Sequence, residues 1–192
     1  ATRPSMEPAD TVTNPPRERF VSLGWRRDKE LEAAGYAAAE AMKDLADDAC
    51  QFGSYHYDKW LDAYQGVRVA TARMIGASPE EIAIVKNTSE GISTIALGID
   101  WKAGDKIVAF REEFSANYFP WKRLEARGVR VEWLSVFDPP DRIDQAAEGA
   151  RLLAISFVQY LSGFRSDVET IGEICHRRGA VFLLDAIQGL GA

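Results

Sequence analysis

Residues 166–188 read SDVETIGEICHRRGAVFLLDAIQ, and this stretch decides the fold. Ser166-Asp-Val-Glu169 has the S-x-x-E order of a capping box, in which a hydroxyl and a carboxylate satisfy free backbone N–H groups at a helix start. A helix is therefore predicted over about 167–178, closed by Gly179 where a left-handed cap belongs. Ala180–Leu184 follows at once as an apolar run of strand length, and it ends in Asp185. Helix, glycine turn and buried strand are the repeating step of a βαβ chain.

The same rhythm runs upstream. Strands are predicted at Ile82–Lys86, Lys106–Phe110, Val129–Leu134 and Leu152–Phe157, with helices at about 89–98, 116–127 and 141–149. Such alternation implies an α/β fold with a mostly parallel sheet and flanking helices. Further upstream the pattern is helical. Asp28–Asp48 is Ala-rich, and a second helix spans Asp58 to Ile75, with Trp60, Tyr64, Val67, Thr71 and Met74 on one face as a core stripe. Ser78-Pro79-Glu80-Glu81 reads as a single capped turn. Three regions result. Residues 1–16, rich in Pro and Thr, are a flexible tail or an arm laid on a partner; 17–80 are a helical segment; 81–192 are the α/β part.

Composition excludes more than it selects. The 192 residues are 46% hydrophobic and 27% charged, ordinary for a globular protein. A formal net charge of -6 argues against nucleic-acid and anionic-membrane surfaces, which need clustered Lys and Arg. No apolar run reaches the roughly 20 residues of a membrane helix. Cys50, Cys175, His56 and His176 form neither a metal-ligand spacing nor a disulfide framework, so no metal is expected and the cytoplasm is the expected compartment.

In an open parallel sheet the ligand site lies at the carboxyl ends of the strands. Past the first expected strand, Thr88 and Ser89 bring two hydroxyls to a helix start, which is either an anion site or plain N-capping. Past the last, Asp185 ends a buried run and must find a cation or several donors. A pyridinium N–H or Mg²⁺ would serve, but the phosphate loop that the second requires is missing. A G-x-G-x-x-G dinucleotide loop is missing as well. Past the second strand, residues 112–121 read EEFSANYFPW, with Phe114 at a position that is either packing or a ligand contact.

Together, NTSEGI (87–92), EFSANYFPW (113–121), LLAISFVQYLSG (152–163) and HRRGAVFLLDAIQGLGA (176–192) resemble, in order and spacing, the class V aminotransferase and cysteine desulfurase family of fold-type-I enzymes. The resemblance implies the large domain of that fold and the cofactor pyridoxal 5'-phosphate (PLP). Asp185 would pair with the pyridine nitrogen, Gln188 with the ring's 3-oxygen, Thr88 and Ser89 with the phosphate, and Phe114 would stack on the ring. Asn117 and Tyr160 would lie nearby. Desulfurases usually carry His where Phe114 stands, and Phe cannot titrate, so lyase-like or epimerase-like members match more closely. The family's early Y-L-N-x-A segment has only Phe20–Gly24 as a counterpart.

The lysine that bonds the cofactor follows the Asp by some twenty residues in this family, whereas all seven lysines here precede Asp185. The late strands that would fill two positions between Ile82–Lys86 and Ala180–Leu184, about 14 Å at ~4.8 Å per step, also lie beyond the sequence. The chain is accordingly read as an incomplete large domain, truncated, cleaved or seen in part, and inactive alone. The whole protein would be a homodimer acting on an amino-acid substrate by lyase, desulfurase or epimerase chemistry at Cα or Cβ. An aminotransferase and a non-catalytic remnant serving as a binding module are the alternatives.

Overall fold

A computed structural model describes residues 29–190. The tail at 1–16 and the Phe20–Gly24 segment lie outside the described residues. The chain divides into two compact units, one within Gly24–Lys86 and one made chiefly of Asn87–Ala192, each described by itself.

The first unit holds helix α1 (Lys29–Phe52) and helix α2 (Tyr57–Ile75). Asp48 accepts a hydrogen bond from His56 across their connection, Oδ1 to Nδ1 at 2.7 Å, and this bond holds the Asp48 carboxyl below its usual range. The capped turn forms as expected: Ser78 donates to Glu81 Oε2 through its backbone N–H at 2.8 Å and its hydroxyl at 3.0 Å.

Two expectations fail here. The Trp60–Met74 stripe is not core: Tyr64, Val67 and Met74 stand exposed and Ala72 is the buried residue of α2. Helical spacing aligns apolar side chains on one face, but burial needs a second surface over that face. Ile82–Lys86 is likewise no strand. A strand exists by its ladder bonds, and this segment pairs with no strand among the described residues; Arg68 of α2 instead donates from Nε to Ile82 O at 3.0 Å and from Nη2 to Pro79 O, just upstream, at 2.6 Å. The two-strand gap drawn from that expected strand has no counterpart.

The second unit is the α/β part. Four strands, β1 (Lys106–Phe110), β2 (Arg130–Leu134), β3 (Leu152–Ser156) and β4 (Val181–Asp185), pair in parallel in the order β2-β1-β3-β4. Alternation within buried strands sends their side chains to two cores. Ile107, Ala109, Leu152 and Ala154 pack with Ile92, Trp121 and Leu124, which belong to helices α3 (Thr88–Gly98) and α4 (Phe119–Leu124). Val108, Phe110, Leu153 and Ile155 pack on the opposite face with Ile143, Ile171 and Ile174 of α5 (Pro140–Ala147) and α6 (Val168–Arg178). The helix expected at 116–127 is broken, with single 3-10 turns at Ser115–Asn117 and Glu125–Arg127 around α4.

The capping box expected at Ser166 is also displaced. Asp167 caps α6, its Oδ1 accepting from Thr170 N at 3.2 Å, while buried Ser166 donates through Oγ to Ser156 O at 2.9 Å. The hydroxyl is drawn away by a carbonyl at a strand end. Gly179 closes the helix in the left-handed region, φ 69°, where a Cβ would be strained.

Candidate active site

Because the four strands are parallel, their carboxyl ends share one edge of the sheet, where Phe110, Ser156 and Asp185 end β1, β3 and β4. Asp185 stands in register with Ser156, and Phe157 N donates to Asp185 O at 2.8 Å. The Asp185 side chain accepts from Ile187 N at 3.1 Å and pairs with no cation among the described residues, although the residue is only 9% exposed. A carboxylate so buried needs further donors. Gln188 lies exposed in the following turn and is not hydrogen-bonded to Asp185. That turn folds onto Phe157, since a Cβ added at Gly189 would sit 2.2 Å from its ring.

At the start of α3, Asn87 is the cap, its Oδ1 accepting from Glu90 N at 2.9 Å. The Thr88 and Ser89 hydroxyls are thereby left out of capping. Ser89 lines a cleft of about 420 Å³ with Ser93, Ser115, Phe119, Pro120 and Arg123. Three hydroxyls and the Arg123 guanidinium give that cleft donors for an anion, and Thr88 does not line it.

The loop after β1 carries the residue that sequence reasoning missed. Glu113 is buried, and its Oε1 accepts from Ser156 N at 2.7 Å and Gln159 Nε2 at 2.9 Å, while Ser156 Oγ meets Oε2. Burial pushes its carboxyl above the usual range, against the opposing pull of these donors. Asn117 also favours the charged form, although its Nδ2 makes no hydrogen bond of ordinary geometry. Gln159 Oε1 is a second buried atom without a partner, and each such atom costs about 1–3 kcal/mol. Asn117 Oδ1 accepts from Trp121 Nε1 at 2.9 Å, with both residues fully buried. Phe114, by contrast, is 50% exposed and meets Tyr160 edge to face, centroids 5.1 Å apart. An acid beside an aromatic just past a buried strand, and a Ser closing an otherwise apolar one, were the available signals for this cluster.

The aminotransferase class-V family model matches residues 42–192, most of the chain. The chain belongs to this family. Among similar curated proteins are probable cysteine desulfurases of Methanothermobacter thermautotrophicus, 38% identical over 132 residues, and of Pyrococcus abyssi, 36% identical over 136. These alignments cover 66% and 67% of this chain but 33% and 34% of the relatives, so the chain spans about a third of their length. Among solved structures, apo cysteine desulfurase from Thermococcus onnurineus is 33% identical with a TM-score of 0.62, over 66% of this chain and 33% of that one. The cystine C-S lyase C-DES, in complex with its product cysteine persulfide, shares the fold with a TM-score of 0.72 at 21% identity, over 80% and 44% of the two chains. This is the fold-type-I α/β architecture expected from the sequence motifs.

The side chains fit a class-V cofactor site at three separate points: a buried acid short of donors at the end of β4, an anion-suited cleft at the start of α3, and an exposed ring on the loop after β1. Cys175 of α6 offers no nucleophile, because burial pushes its thiol up to about 11.

Proposed function

We propose that the protein is a PLP-dependent enzyme acting on an amino-acid substrate at Cα or Cβ, by lyase, desulfurase or epimerase chemistry. Asp185 is the observation that carries this reading. Its nearly buried carboxylate, with one backbone donor and no cation among the described residues, suits a protonated pyridine nitrogen. PLP, when bound, supplies an electron sink for bonds at the substrate Cα. Asp185 holds the proton on the ring nitrogen, and Gln188 donates to the 3-oxygen. Thr88 and Ser89, with the first N–H groups of α3, bind the phosphate. Phe114 covers one face of the ring, excludes water and moves no proton. Proton transfer at the substrate therefore falls to another group. The names of the cysteine desulfurase relatives support a sulfur-containing amino acid as substrate.

The test is made on the intact protein reconstituted with PLP. Visible absorbance reports binding, sulfide from L-cysteine or L-cystine reports Cβ chemistry, and Cα–H exchange in D₂O reports chemistry at Cα. Binding with any of these reactions supports the reading. No binding, or binding with none of them, overturns it.

A further inference from the structure

Phe114 and Tyr160 are large aromatics left 50% and 44% exposed, each next to buried residues of its own segment. Glu113, Ala116 and Asn117 flank the first, and Val158, Gln159 and Phe164 surround the second. The two segments come from different connections, one after β1 and one after β3, yet they present their exposed rings to each other at 5.1 Å and 76°. What joins the segments is the Glu113 carboxylate. It takes the Ser156 backbone N–H at 2.7 Å and the Gln159 amide at 2.9 Å, and it meets the Ser156 hydroxyl. The far end of each segment is fastened separately. Asn117 takes the Trp121 indole N–H at 2.9 Å, while Gln159 N donates to Phe164 O at 2.9 Å and Ser166 N to Phe157 O at 2.8 Å. Each residue is about half exposed, with the other's ring as an edge-to-face neighbour.

We infer that Glu113 is a positioning residue: its buried carboxylate locks the segment after β1 to the segment after β3, so that Phe114 and Tyr160 stand as one fixed aromatic pair facing the cofactor. The inference rests on the PLP reading for the ligand but not for the clamp. Glu113 is itself buried, with Ser156 and Gln159 as its partners. It acts through the two residues that follow the clamped positions, Phe114 after Glu113 and Tyr160 after Gln159. A fixed pair presents a stacking surface without having to be ordered on binding, and so retains ligand more strongly than two independently moving rings.

The experiment has two arms, both on the intact protein. Without ligand, near-ultraviolet circular dichroism reads the Phe114–Tyr160 pair. Glu113→Ala should remove the same band as Phe114→Ala, and Glu113→Gln, which keeps an acceptor for Ser156 N, should restore most of it. With PLP, the dissociation constant per folded molecule is measured in a double-mutant cycle. Phe114→Ala alone should weaken binding about two- to ten-fold. Glu113→Ala should do so at least as much, and the double variant no more than the stronger single one, the coupling expected of residues acting as a unit. If Glu113→Ala does not fold, Gln159→Leu, which removes a donor from the other side of the clamp, takes its place. An unchanged aromatic band in Glu113→Ala, or additive losses in the cycle, would overturn the clamp while leaving the PLP reading intact. A lost band in a protein that takes up no PLP would sustain the clamp and overturn the PLP reading.

Discussion

Asp185 is held at the end of β4 by the pairing of that strand with β3, and its neighbours leave it under-supplied with donors. On the proposed reading, replacing it with Asn in the intact protein removes the charge that pairs with the pyridine nitrogen. The ligand-free protein should keep its melting temperature, while PLP affinity and turnover fall by orders of magnitude, since losing one member of a buried charge pair costs ~3–5 kcal/mol. Near-normal turnover with bound PLP would place the pyridine partner elsewhere. Four residues on, Gly189 answers to space and not to charge. With a Cβ 2.2 Å from the Phe157 ring, Gly189→Ala must push that ring aside, which should lower stability by about 1–3 kcal/mol in urea unfolding. An unchanged midpoint would mean that Phe157 swings away freely.

Helices α5 and α6 are joined by one acid and two bases. Asp144 accepts from Arg178 Nη2 at 2.5 Å and Nε at 3.0 Å, and from Arg177 Nη2 at 2.8 Å. The Arg178 guanidinium first, and Arg177 second, hold the Asp144 carboxyl far below the usual carboxylate range. A depressed acid contributes stability above its unfolded value, near 3.9, and loses that contribution as pH falls through the folded value. Asp144→Asn should therefore melt below the unaltered protein at pH 7, with the gap narrowing steadily below about pH 4. A gap that stays constant down to pH 2 would show that the carboxylate charge is not what joins these helices. The 3-10 and α4 turns over 115–127 illustrate a different constraint on the same scale. Asn117, Trp121 and Leu124 are all buried there, and Pro120, which has no backbone N–H to donate, stands in the first turn of α4 and breaks what would have been one helix.

At the scale of the molecule, the passage between the two compact units is exposed. Residues 83–87 are exposed and in no helix or strand, and Lys86 is the only lysine among them. Among the described residues, brief trypsin treatment should cut early after Lys86, giving a product that begins at Asn87 by mass spectrometry. Early cuts within β1–β4 would contradict the division into units. The parallel sheet, its four strands and the helices between them could be read from the sequence, because buried parallel strands are continuous apolar runs and capped helices carry local signals within a few residues. The position of Asp185 at a carboxyl end was legible for the same reason. Three things were not. Ile82–Lys86 has the composition of a strand, but a ladder needs a neighbour, and only the fold reveals that it has none among the described residues and that Arg68 takes the Ile82 carbonyl. The α2 stripe has helical spacing, but spacing cannot say whether another surface covers it. Glu113 meets Ser156 and Gln159 across 43 and 46 positions. Local periodicity is determined by neighbours along the chain, so the sequence alone specified most of the elements. Burial, strand pairing and the partners of a buried acid are determined by neighbours in space, and those only the tertiary structure decided.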